Sequence, residues 1–310
     1  PSASILGQLR EETARRPVPA SALAAFGDPV FAANYAQHRD ANQPEQVAAL
    51  HVPESERWQH ALRDIEPEGD SVDPSTLRPL FYSKLELANL REVAGSESLV
   101  ATGFDATPEN LAAADLSKYA ILHFATHGIL DTKRPEYSGL FLSMVNRSGQ
   151  AQNGFLGLPD IYRLRAPVDL VVLSACRTGL GKDVRGEGLI GLTRGFMYAG
   201  ASSVVASLWK VEDEATAELM KRFYTNMLQR GMTPSAALGA AQNSIRQEPR
   251  WRSPHYWAAF TLQGEYRQVI KTTGGSYQQL YPKLIVGLIL FALLATAIWR
   301  FRSYRGRRNG

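Results

Sequence analysis

Tyr119-Ala-Ile-Leu-His-Phe-Ala-Thr-His127-Gly128 is a run of nearly unbroken apolar residues that ends in a histidine and a glycine. Val168-Asp-Leu-Val-Val-Leu-Ser-Ala-Cys176-Arg-Thr-Gly179 has the same form and ends in the chain's one cysteine. Strands without polar alternation are covered on both faces, as in the middle of a parallel sheet. The readings either side agree. Leu23 to Phe26 before Gly27-Asp28-Pro29, Ser98 to Thr102, Ser203 to Leu208 and Tyr256 to Leu262 read as further strands. Between them lie helical stripes: Leu87, Leu90 and Ala94 ended by Gly95; Leu189, Leu192 and Phe196 ended by Gly200; Leu219, Phe223 and Met227 before Gly231. Thr233-Pro234 is an N-cap with proline at the first helical position, opening a helix to about Arg246. Gly139 to Val145 reads as a β-excursion. Residues 34–76 are polar and proline-punctuated, with one helical patch near Ser55 to Ile65, and read as an excursion from the core. Alternating strands and helices predict a doubly wound α/β fold with a mainly parallel sheet.

Composition narrows the function. The chain has 310 residues, 45% hydrophobic and 21% charged, which excludes disorder and collagen-like repeats. A single cysteine excludes an internal disulfide and a finger-type zinc site. Net charge is +4, but residues 283–310 carry six basic residues and no acid, leaving 28 basic and 30 acidic residues before them. The positive excess belongs to the tail, so no nucleic-acid partner is expected. Leu284 to Trp299 is free of charge. Its helical length of about 24 Å, extended by Tyr281, Trp299 and snorkelling Lys283 and Arg300, predicts a single membrane-spanning helix over 283–301. The arginines that follow place the tail in the cytoplasm by the positive-inside rule. A buried C-terminal helix is the bland alternative, disfavoured because the segment has no polar face. The chain opens at Pro1 rather than methionine and is read as the C-terminal part of a longer protein.

In a doubly wound sheet, ligands bind beyond the carboxyl ends of the strands, where strand order reverses. Pairing of the two decisive strands would bring His127 and Cys176 out side by side. Imidazole and thiol are the ingredients of a nucleophilic dyad, because the thiolate attacks and a neighbouring histidine generates it. Gly128 admits a close substrate, and its N–H with that of Cys176 can hold an oxyanion. Each residue alone has a bland reading: a lone strand cysteine is usually a small buried hydrophobe, and a lone histidine a hydrogen-bonded core residue. Their joint position at neighbouring strand ends favours catalysis. Other motifs fail on context. Gly186-Glu-Gly188-Leu-Ile-Gly191 matches G-x-G-x-x-G but does not follow a strand directly. His123 and His127 stand about 13 Å apart in a strand and lack an H-E-x-x-H glutamate, so His123 is taken as structural. A zinc site of His123, His127 and Cys176 is the metal alternative. No metal or cofactor is expected.

The strings Leu122-His-Phe-Ala-Thr-His-Gly128 and Val172-Leu-Ser-Ala-Cys-Arg-Thr-Gly179 resemble the CHAT family of caspase-like cysteine peptidases, kin of separases and gingipains. Gly186-Glu-Gly188, Ala199-Gly-Ala201, Ala206-Ser-Leu-Trp-Lys-Val211 with Asp213, and Tyr256-Trp-Ala-Ala-Phe260 follow in the family's order. The resemblance implies a caspase-like sandwich over residues 1–270; the membrane helix read above is no part of the family's core pattern, and a linker at 271–282, that helix at 283–301 and a basic tail at 302–310 complete the expected organisation. The resemblance also implies a His127–Cys176 dyad cleaving protein or peptide substrates through a thioester, with no cofactor. Asp213 is either a carboxylate that selects arginine or lysine at P1 or a helix N-cap. Such domains commonly follow tetratricopeptide repeats, so an upstream helical-repeat region is an expected partner. A non-catalytic, membrane-anchored interaction module with the same fold is the alternative function.

Overall fold

The computed structural model describes residues 3–32, 77, 80, 82–129, 137–174, 176–177, 187–209 and 211–274. The chain divides into two compact units, Pro1–Thr273 and Gly274–Gly310. In the first unit the elements run α1 (Ala3–Arg15), β1 (Ser21–Gly27), α2 (Ser83–Ala94), β2 (Leu99–Thr102), α3 (Pro108–Ala113) and β3 (Tyr119–Ala125). Three short strands follow, β4 (His127–Ile129), β5 (Gly139–Phe141) and β6 (Phe155–Gly157), then α4 (Leu158–Arg163), β7 (Leu170–Leu173) and β8 (Cys176–Arg177). The unit ends with α5 (Glu187–Tyr198), β9 (Ser203–Ser207), α6 (Asp213–Tyr224), a π-helical turn (Thr225–Gln229), α7 (Pro234–Gln247) and β10 (Phe260–Gly264).

The large sheet has strand order β10-β9-β7-β3-β1-β2. All neighbours pair in parallel except β10, which runs antiparallel to β9. Successive side chains of a strand point to opposite faces, and here both faces are apolar. Leu23, Ala25, Ile121 and Val172 pack with Leu87 and Leu90 of α2, Leu219 and Phe223 of α6 and Ile245 of α7. Their neighbours Ala24, Phe26, Leu122 and Phe124 pack on the other side with Leu111 of α3, Ile161 of α4 and Phe196 of α5. Helices cover the mainly parallel sheet on both sides, a mixed α/β arrangement consistent with a caspase-like fold.

The expected strand and helix stripes mostly fall where their patterns place them. Thr233 caps α7, its hydroxyl accepting from the Ala236 N–H at 3.4 Å. Gly200, after α5, has φ +117°, a conformation that only glycine adopts cheaply. One boundary moves. The strand expected over Tyr256 to Leu262 begins only at Phe260, because Pro254–Tyr256 forms a 3₁₀ turn with proline at its start. Residues 34–76 and the helical patch near Ser55 lie outside the described residues. So do residues 283–301. Among the described residues no helix is long and apolar enough to cross a membrane.

The amino-terminal ends of the strands are closed by α1. The Thr13 hydroxyl lies 2.7 Å from that of Ser202, and Arg16 Nη1 donates to the same Ser202 hydroxyl at 3.2 Å and to the Val168 carbonyl at 3.3 Å. Arg10 pairs with Glu265, and Thr273 N–H donates to Pro19 O at 2.9 Å. Nearby, burial pushes the Asp169 carboxyl above its ordinary range, a push that Arg16's charge partly opposes.

Candidate active site

At their carboxyl ends β3 and β7 leave the large sheet. Thr126 alone separates β3 from β4, and residues 174–175 separate β7 from β8. The continuations join a second sheet of order β6-β5-β4-β8. In it β4 and β8 pair in parallel, with His127 in register with Cys176 and Gly128 with Arg177. On the other side β4 runs antiparallel to β5, where His127 faces Phe141 and Gly128 faces Leu140. The two residues expected to emerge side by side therefore share one rung, their backbones about one strand spacing of 4.8 Å apart. The rung sits beyond the carboxyl ends of β3 and β7, one strand from the β1–β3 boundary where the chain order of the sheet reverses, the region where open α/β sheets bind ligands.

His127 is 7% exposed. Its ring lies 5.4 Å, centroid to centroid, from that of Phe31, at 39°. The segment carrying Phe31 is stitched in place. Val30 N–H donates to the Ser143 hydroxyl at 2.9 Å, and Met144 N–H to Val30 O at 2.9 Å. The Ser143 hydroxyl in turn donates to Gly103 O at 2.6 Å. Phe31, Ile129, Phe141, Met144 and Phe155 form a separate apolar cluster against this small sheet. Where β1 ends, Asp28 is buried with φ +49°, an uncommon conformation for a residue with a side chain. Its N–H donates to Ala125 O at 3.2 Å, and its carbonyl accepts from Gly103 N–H at 3.1 Å. Gly27 before it has no room for a side chain, since a Cβ would stand 2.6 Å from Ala125 O.

His123 and His127 do not converge. His123 is fully buried among α2, β3 and α6. Its Nδ1 lies 3.0 Å from the Tyr224 hydroxyl and its Nε2 3.0 Å from Glu86 Oε1. The Nε2 contact has ion-pair distance without the alignment of a hydrogen bond. Burial, with Glu86's charge adding to it, pushes the Tyr224 phenol well above its ordinary range. Both ring nitrogens of His123 are thus committed to structural partners, which removes it from the zinc alternative.

Asp213 is not an N-cap. Glu212 holds that position at α6, and Asp213 is the first helical residue, half-buried. There a carboxylate faces the positive end of the helix dipole. It follows the end of β9, the neighbour of β7. Two residues at the site were not singled out from the sequence. Phe31 reaches the His127 ring from a loop far away in the chain. Thr126, fully buried, donates its hydroxyl to the Phe141 carbonyl. The Thr126 signal was visible only as one polar residue inside an apolar run.

The fold and rung define a mixed α/β domain with a histidine and a cysteine in register beyond its central strands. The chain belongs to the CHAT domain family, which matches residues 1–265. It is similar to Tetratricopeptide repeat protein 28 of Mus musculus, 39% identical over 105 residues, or 34% of this chain and 4% of that protein. The Homo sapiens protein of the same name is 38% identical over 113 residues, 36% of this chain and again 4% of that one. Among solved structures, the complex of Porphyromonas gingivalis RgpB pro- and mature domains aligns over 87% of this chain and 70% of that one, with a TM-score of 0.40 and 11% identity. That likeness is too distant to argue from.

Proposed function

We propose that this domain is a caspase-like cysteine endopeptidase using a His127–Cys176 dyad. The observation that carries the proposal is the β4–β8 rung, which puts the two residues in register. In the reaction, Cys176 passes its thiol proton to His127 and its sulfur attacks the carbonyl carbon of the scissile peptide bond. The tetrahedral oxyanion is held by the N–H groups of Gly128 and Cys176. As the C–N bond breaks, the imidazolium gives the proton to the leaving amine, leaving a thioester. Water, deprotonated by His127, then attacks the thioester, releasing the acid and restoring the thiol. Asp213 beyond β9 selects arginine or lysine at P1 through a charge-assisted contact. Residues 283–301 tether the domain to a membrane, with 302–310 cytoplasmic.

A thiol-reactive peptidyl probe with arginine at P1 tests this reading. Labelling of Cys176 that disappears in His127→Ala supports the dyad. A folded protein whose Cys176 stays inert to the probe would instead be a non-catalytic interaction module.

A further inference from the structure

We propose that Thr126 is a positioning residue for His127, fixing the imidazole relative to Cys176 through its hydroxyl. The inference rests on the dyad reading above. Thr126 is the one-residue break at which β3 of the large sheet passes into β4 of the small one. A ladder that ends and restarts in a different sheet loses the continuous pairing that normally sets register. Side-chain period in a strand is two, so a slip of one residue would turn His127 to the opposite face. Thr126 is fully buried, and its hydroxyl donates to the main-chain carbonyl of Phe141. Phe141 is the residue that pairs with His127 across β5. The bond therefore ties the residue before His127 to the residue opposite it, on the side away from Cys176. With β5 tied on one flank and β8 in register on the other, β4 has one setting.

Shape does not require the hydroxyl. Valine has nearly the same outline and suits a strand. What valine lacks is the donor to Phe141.

The test uses the full chain, whose single cysteine makes alkylation readable at one site. Iodoacetamide alkylation rates of Cys176 are measured from pH 5 to 9 in the parent, His127→Ala, Thr126→Val and Thr126→Ser. Expected is a parent profile shifted to lower pH than that of His127→Ala. Thr126→Val should move most of the way towards His127→Ala, losing about fivefold or more in rate near pH 6, and Thr126→Ser should return to the parent profile. Far-UV circular dichroism confirms folding, and Thr126→Ala replaces Thr126→Val where the latter does not fold. A Thr126→Val profile that overlays the parent while His127→Ala departs overturns the positioning role and leaves the dyad standing. A His127→Ala profile that overlays the parent overturns both.

Discussion

Glu86, His123 and Tyr224 join α2, β3 and α6 through polar contacts in an otherwise apolar layer, at 3%, 0% and 0% exposure. The phenol, raised well above its ordinary range, stays protonated and lies 3.0 Å from Nδ1, and Nε2 stands 3.0 Å from the carboxylate. Glu86→Ala would leave the buried Nε2 without its polar neighbour, and an unmet buried polar group costs about 1–3 kcal/mol. Glu86→Ala should therefore destabilise the domain by that amount. In a domain of this size this lowers the melting temperature by about 2–12 °C. Tyr224→Phe keeps the ring packing and strips only the hydroxyl partner of Nδ1, costing about 1–3 kcal/mol. Replacing all three by shape-matched apolar residues (Glu86→Leu, His123→Phe, Tyr224→Phe) removes every unmet polar group at once. That triple variant should recover most of the loss or exceed the parent. Urea titration followed by tryptophan fluorescence, with all singles and the triple, measures this directly. The reasoning fails if Glu86→Ala unfolds within about 0.5 kcal/mol of the parent, or if the triple variant is no more stable than the worst single.

Four further outcomes follow. Cys176→Ala should abolish peptide cleavage, at least about a thousandfold, with unchanged circular dichroism; full turnover in that variant would sink the nucleophile. Asp213→Asn should cost about 10–100-fold in kcat/KM for arginine at P1 and little for alanine, read on a P1 peptide library. Asp169 is raised by burial, so the folded state binds more protons than the unfolded chain once pH passes the ordinary carboxylate value. Stability then falls as pH climbs to the raised value, and Asp169→Asn should raise the melting temperature at pH 7 but not at pH 3. Gly27→Ala forces a Cβ to 2.6 Å from a main-chain oxygen and should cost about 1–3 kcal/mol in the same urea assay.

What the sequence disclosed depended on length and on two-sided burial. β3, β7 and β9 were legible because strands covered on both faces leave unbroken apolar runs. The α2 helix was legible from an apolar stripe ended by Gly95, and α7 from the Thr233 cap with proline at the first helical position. The small sheet was not legible as a sheet, since β4, β5, β6 and β8 have two or three residues each, too few for any periodicity to register. β10 was placed too early because Tyr256 and Trp257 have strand-like composition, while the proline ahead of them sets a 3₁₀ turn. At the site, His127 and Cys176 were legible as the ends of neighbouring strands. Their pairing in a separate sheet was not, nor the Thr126 bond to Phe141. Phe31 against the imidazole depends on a loop folding back across the chain, which no local pattern encodes. Asp213 was legible as a carboxylate near a helix start, but the cap position went to Glu212 by one residue.

The α1 clasp has a consequence for handling the molecule. Pro19 and Thr273 are hydrogen-bonded at the same pole as Ser202, where the parallel strands begin, whereas the imidazole and the cysteine rung lie where they finish. A fluorescent reporter or affinity handle grafted beside either connection would ride on that pole, the length of the sheet away from the His127–Cys176 rung.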